Sequence, residues 1–216
     1  MTSSKLKVLI GCEHSGVVRR AFRARGHAAW SCDLLPASDG SRFHYQGDVR
    51  DILDIGWDLA IFHPDCTFLT NACAWAFSEG PFPGKTIRPG TLIGAARYAA
   101  RAEAVAFVRE LLGAPIPRIA LENPAGHLST AIGKPSQTIQ PWWFGDDASK
   151  KTCLWLKGLP LLRPTDLRQP RMVDGRPRWA NQTDTGQNKL GPSADRWALR
   201  AKTYQGIANA FATQWG

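Results

Sequence analysis

Two residue types at the ends of apolar runs carry the chemistry that can be read from this chain. Cys66 lies in HPDCTFLT, just past Leu59-Ala60-Ile61-Phe62, and Glu122 lies in LENP, just past Ile119-Ala120. A thiol attacks as the thiolate, so it needs a lowered pKa or a nearby base. A carboxylic acid beside it can protonate a substrate while the sulfur adds. Such a pair suits addition to an electrophilic ring or carbonyl. Each residue also has a plainer reading: Cys66 as a small buried thiol, Glu122 as a capping or ion-paired carboxylate.

The elements that position them follow from periodicity. KLKVLIG reads as a buried strand ending at Gly11. GVVRRAFRARGH reads as an amphipathic helix, with Ser15 as N-cap, Val17, Val18, Ala21 and Phe22 inward, and Gly26 past its end. AAWSC is a second strand with Asp33 just beyond it. Strand, helix, strand in this order is a right-handed crossover in a parallel sheet, whose ligand belongs at the carboxyl ends of the strands. Asp33 would there face a cofactor ribose.

GDVRDIL, carrying Asp48, precedes a third strand, WDLAIFHP, which Pro64 ends. Residues 77–90 are rich in Gly and Pro and are read as irregular. TLIGAARYAARAEAVAFVRELL is the strongest helix, with Leu92, Ala96, Ala100, Ala104, Phe107, Val108 and Leu111 at helical spacing. PRIALENP and KKTCLWLKGL add two strands, and a helix closes the chain from Lys202 to Thr213. Placed in one parallel sheet, the strands bring Gly11, Asp33, Asp48, Cys66 and Glu122 to a single rim. The fold class expected is α/β, a Rossmann-like sheet with helices on both faces.

The chain has 216 residues, enough for one domain of ordinary size. With 44% hydrophobic and 21% charged residues it has the composition of a soluble globular protein, and no apolar run approaches the roughly 18 residues of a membrane span. The first residues, MTSSKLKVLIGCEH, lack the form of a signal peptide, so a cytoplasmic location without membrane contact is expected. Five irregularly spaced cysteines form no disulfide framework, and without paired short-spaced ligands no metal site is expected. The net charge of +9 points to a polyanionic partner. Arg19, Arg20, Arg23 and Arg25 crowd the first helix, read as a solvated face. The stretch from Arg163 to Lys202 holds nine basic residues against four acidic ones. Trp142, Trp143 and Trp155 suit either packing or stacking on a base, and His14 and His63 flank the rim, with His63 read as a hydrogen-bonded structural imidazole.

The order of motifs resembles the DNA cytosine-C5 methyltransferases, and most of all their short, phage-type members. LIGCEHSG stands in the place of the glycine-rich cofactor motif, CDLLP in that of the ribose acid, and GDVRDI in that of the segment contacting adenine. HPDCTFLT is similar to the nucleophile motif Pro-Pro-Cys-Gln-x-Phe-Ser, LENP to Glu-Asn-Val, and TYQGIANAF to the terminal motif with Gly-Asn-Ala. The resemblance implies a Rossmann-like S-adenosylmethionine-dependent sheet and methyl transfer to C5 of a flipped-out cytosine in DNA. It implies Cys66 as nucleophile at C6, Glu122 as the group acting at N3, and Asn123 as support for the base or its loop. Lys150 and Lys151 take the place of the Arg-x-Arg segment near the pyrimidine. For S-adenosylmethionine it implies Gly11, Glu13, Ser15 and Gly16 from the first motif, with Asp33, Asp48, Pro64 and Asn209.

Two departures stand out beside the thiol. Asp65 replaces the proline before the nucleophile, and Thr67 replaces the glutamine after it. A carboxylate facing Cys66 would raise its pKa, so Asp65 is expected to point away or to be neutralised. The third departure is size. The chain divides into a catalytic core at 1–163, a basic extended insertion at 164–192 in place of a target-recognition domain, and a closing helical segment at 193–216. So short an insertion leaves little to read a groove. It points to low sequence specificity, to a second copy or partner subunit supplying specificity, or to a smaller substrate. The alternatives are therefore C5 modification of a free pyrimidine nucleotide, transfer of a modified group, and an inactive DNA-binding protein.

Overall fold

The computed structural model describes residues 4–84, 86–193 and 195–216; residues 1–3, Lys85 in the Gly/Pro-rich stretch and Ala194 lie outside the described residues. The apolar runs become the strands β1 (Lys7–Gly11), β2 (Ala28–Asp33), β4 (Leu59–Phe62), β5 (Ile119–Pro124) and β7 (Thr152–Lys157). Two short strands, β3 (His44–Gln46) and β6 (Gln137–Ile139), join them in a seven-stranded sheet of order β3-β2-β1-β4-β5-β7-β6. The result is the expected α/β, Rossmann-like sheet.

β7 corrects the expectation of an all-parallel sheet, because it runs antiparallel to both β5 and β6. The connection from β6 to β7 contains only the 3-10 turn Pro141–Trp143. Parallel neighbours need a crossover, usually helical, whereas antiparallel neighbours need none. The reversal matters for the site. With Asn123 opposite Cys153 and Pro124 opposite Thr152, the residues leading into β7 arrive at the carboxyl end of β5.

Side chains alternate between the faces as a pleated strand requires. Val8, Ile10, Leu59, Ile61, Ala120 and Leu154 meet helices α1 (Val17–Ala24) and α5 (Gln205–Trp215) on one face. Leu9, Ala60, Phe62, Ile119, Leu121 and Trp155 meet α2 (Gly94–Gly113) on the other. Helices α3 (Leu128–Ala131) and α4 (Arg196–Ala201) are short. The closing helix thus begins at Gln205, later than expected, with α4 as a separate turn before it.

Three local readings are corrected. Gly16, not Ser15, is the N-cap of α1; it is left-handed at φ 67°, and a Cβ there would lie 2.3 Å from Arg19 Nη2. Arg19 is not on a solvated face: it is buried, donates to Ser31 Oγ at 2.7 Å and pairs with Asp39. In α2 the inner stripe is Arg97, Val105, Val108 and Leu111, while Leu92 lies before the helix and is exposed, as is Ala96.

The 164–192 stretch is not wholly extended. It contains a hairpin, β8 (Arg171–Val173) and β9 (Arg176–Arg178), turned at Asp174 and Gly175, both at positive φ. Such a turn matches the twist of the paired strands. Trp179 anchors it by stacking on Trp142, with ring centroids 5.2 Å apart and planes 9° apart. Among the described residues no helix is long and apolar enough to cross a membrane.

Candidate active site

The loop after β4 is built by hydrogen bonds to both neighbouring strand ends. His63 N donates to Gly11 O at 3.0 Å, tying the end of β4 to that of β1. Asn123, buried on β5, donates from Nδ2 to Pro64 O at 2.9 Å, which places it as support for the loop. Leu69 N and Thr70 N both donate to Cys66 O at 3.0 Å, and His127 N donates to Leu69 O at 2.7 Å. Only glycine fits at 126, since a Cβ there would sit 2.1 Å from Leu69 O. The segments following Cys66 and Asn123 are therefore laced together.

Asp65 and Thr67, the two departures beside the thiol, form one unit. Thr67 donates to Asp65 Oδ1 from both its amide, at 3.0 Å, and its hydroxyl, at 2.8 Å. An aspartate closing its own turn two residues on is a common turn device, and it restrains the loop as a proline would. The carboxylate stays exposed and unpaired with any cation among the described residues.

Electrostatics link Cys66, Glu122 and Lys150. Burial, then the negative charges of Asp65 and Glu122, push the Cys66 thiol up, with Lys150 opposing. Burial pushes Glu122 up too, but the His63 hydrogen bond and the Lys150 charge outweigh it and leave the carboxyl below its ordinary range. At rest the site holds a neutral thiol beside an ionised carboxylate. Lys150 arrives there because β7 is antiparallel. Lys151 is exposed, and its charge bears on neither Cys66 nor Glu122.

The remaining predicted residues separate into those on the rim and those spent on structure. Asp33 ends β2, accepting from Leu35 N at 2.9 Å through Oδ1 alone. Asp48 caps the 3-10 turn Val49–Ile52 and is held below its usual range, first by the Arg50 amide and then by the Arg50 side chain, against some burial. Glu13 is buried, and its carboxylate accepts from Val18 N at 2.8 Å and Arg19 N at 3.3 Å. It caps α1, where a negative charge is favoured. Ser15 donates to that carboxylate at 3.1 Å. Gly11 is a packing glycine, since a Cβ would lie 2.5 Å from the Phe62 ring. Asn209 accepts from Gln205 at 2.9 Å and lines a groove with Arg20 and Arg25, on the outer side of α1.

Trp155 is buried and donates to Gly133 O at 2.9 Å, while Trp142 and Trp143 pack edge to face. A cleft of about 480 Å³ opens between α1 and the 181–190 segment, with Arg20, Lys189, Lys202 and Tyr204 on its walls. Sequence patterning did not single out Arg97 and Arg101, which reach the loop after Cys66. Their i, i+4 spacing on the inner side of α2 was the available signal.

No family model matches the chain, and no curated protein matches it. Among solved structures it is similar to a mutant of DNMT2 from Spodoptera frugiperda, at 13% identity and a TM-score of 0.36, over 81% of this chain. The chain spans 57% of the length of that protein.

Proposed function

We propose that the protein transfers a methyl group from S-adenosylmethionine to C5 of cytosine in DNA, through a transient bond between Cys66 and C6 of the ring. The observation that carries this reading is the approach of Glu122 to Cys66 from the ends of adjacent strands, close enough for the carboxylate charge to raise the thiol. A thiol and a carboxylate so placed can exchange a proton through a substrate.

The rim suits the cofactor. Asp33 keeps one carboxylate oxygen free for ribose hydroxyls. A sulfonium cofactor has no pyrophosphate, so the 11–16 loop needs no phosphate-cradling glycine pattern. Asp33, Asp48 and Pro64 would hold it, and Glu13 would act by fixing α1. When bound, S-adenosylmethionine supplies an electrophilic methyl group.

Cys66 loses its proton to Glu122 and forms the S–C6 bond as Glu122 passes a proton to N3. The ring electrons thus released make C5 nucleophilic. After methylation a solvent base takes the C5 proton as the C6–S bond breaks, and N3 returns its proton to Glu122, which restores the ring and the thiolate. Asn123 keeps the loop in place and Lys150 steadies the charges. The cations of the 480 Å³ cleft suit a phosphate backbone.

Labelled cofactor and cytosine-containing DNA test this, with Cys66→Ala alongside. Formation of C5-methylcytosine by the wild type alone is expected. No product from the wild type, or undiminished product from the variant, overturns the reading.

A free pyrimidine nucleotide, or a larger transferred group, is the second reading. The insertion favours it, because strands of three residues offer no helix or long ribbon for a groove. Competition of dCMP against DNA, with mass spectrometry of the product nucleoside, separates the two.

A further inference from the structure

We infer that α2 clamps the loop bearing the thiol, with Arg97 and Arg101 as positioning residues for Cys66; this rests on Cys66 being the nucleophile. Four consecutive carbonyls, 66 to 69, each have a partner. Cys66 O closes the loop's own turn and Leu69 O takes His127 N. The two between them go to α2: Arg97 Nη2 donates to Thr67 O at 3.3 Å, and Arg101 Nε donates to Phe68 O at 2.9 Å. No carbonyl in this run is left to water, so the peptide planes following the sulfur are held from three sides.

The guanidinium groups also lie over aromatic rings. Arg101 lies 3.3 Å from the Phe77 ring centroid, and Arg97 lies 4.9 Å from Phe77 and 5.2 Å from Phe68. Phe77 itself packs edge-on against Tyr98 of α2, with centroids 5.0 Å apart. Both ends of the 66–77 segment are thus fastened to one helix. Arg97 is 4% exposed, and among the described residues neither arginine has a carboxylate partner. Burying a guanidinium without a counter-ion is costly, and packing alone would be served better by leucine. The charge is answered instead by loop carbonyls and ring faces, an arrangement that a lysine's single ammonium reproduces poorly.

The test uses the full chain with Arg101→Met, Arg101→Lys and Arg97→Met, and with Val105→Ala as a control that loosens the same helix. Melting temperature, KM for DNA, the rate of covalent trapping on 5-fluorocytosine DNA, and alkylation of Cys66 by iodoacetamide are measured for each. The methionine variants are expected to trap about 10- to 100-fold more slowly, as for a reacting atom displaced by an ångström, with KM within about twofold. Arg101→Lys recovers part of the rate, and Cys66 alkylation changes several-fold in the arginine variants but not in Val105→Ala. Trapping at the wild-type rate, or a loss matched by Val105→Ala at equal melting temperature, overturns the clamp. If the wild type traps no DNA, the functional reading fails, and the alkylation comparison alone decides the clamp.

Discussion

His63 Nδ1 donates to Glu122 Oε2 across 3.2 Å, joining the ends of β4 and β5 where both side chains are nearly out of solvent. The bond helps to hold the Glu122 carboxyl below its ordinary range despite burial. A carboxyl lowered by folding stabilises above the unfolded value, and that stabilisation is lost as pH falls through the folded one. His63→Leu should therefore cost about 1–3 kcal/mol at neutral pH, the penalty for a buried acceptor left without its donor. Urea unfolding should show the difference narrowing as pH drops below the ordinary glutamate value of about 4.3.

Asp65→Asn keeps the acceptor that Thr67 uses and removes the charge that raises Cys66. The alkylation profile of Cys66 should move to lower pH, and trapping at neutral pH should speed up. Asp65→Ala, which loses the turn as well, should slow it. A profile unmoved by Asp65→Asn would mean that burial, Glu122 and Lys150 govern the thiol without Asp65.

Lys150 and Lys151 should behave differently although they are adjacent. Lys150 lowers both Cys66 and Glu122, so Lys150→Ala should shift Cys66 alkylation to higher pH and slow methyl transfer. Lys151→Ala should leave the alkylation profile where it is.

Asp39 is held down to about 2: burial raises it, but hydrogen bonds from Arg19 and Arg20 prevail. Because the folded value is lowered, its contribution is complete above the ordinary aspartate range and disappears as pH falls toward 2. Asp39→Asn strands the buried Arg19 guanidinium and should cost about 3 kcal/mol near neutral pH, the low end for such pairs because Asp39 is partly exposed. Chemical denaturation at pH 7 and pH 3 would show the penalty shrinking at the lower pH.

Gly11→Ala drives a methyl group into the Phe62 ring and should destabilise by about 1–3 kcal/mol, as overpacking does. Phe62→Leu should relieve part of that in the double variant. Additive losses would show that the cost lies outside the ring, at Val49 Cγ2, which a Cβ would approach to 3.0 Å.

Long buried strands were legible because apolar runs such as VLI and LAIF stand out from their neighbours. β3 and β6, with sequences HYQ and QTI, offer three residues each and no run to see. The direction of β7 is not encoded in TCLWLK, which would pair either way; it depends on a connection that lacks a crossover helix. The frame of α2 slipped because alanines count as apolar wherever they fall, while the inner face is carried partly by Arg97. Asp174-Gly175 was a readable turn signal in a polar stretch. At the site, Cys66 and Glu122 could be placed by strand ends alone. The capping role of Glu13 could not, since it depends on a left-handed Gly16 that lets the helix amides turn back onto the carboxylate.

The two ends of the hairpin share a footing. Thr165 N and Asp166 N donate to Trp143 O and Arg168 N donates to Trp142 O, while on its far side Ala180 N donates to Asp147 and Asn181 bonds Ser149 in both directions. Entry and exit thus rest on residues 142–149, so the hairpin is a handle whose span is decoupled from the sheet. Changes of length at Asp174-Gly175 should therefore leave the sheet and its rim as they are.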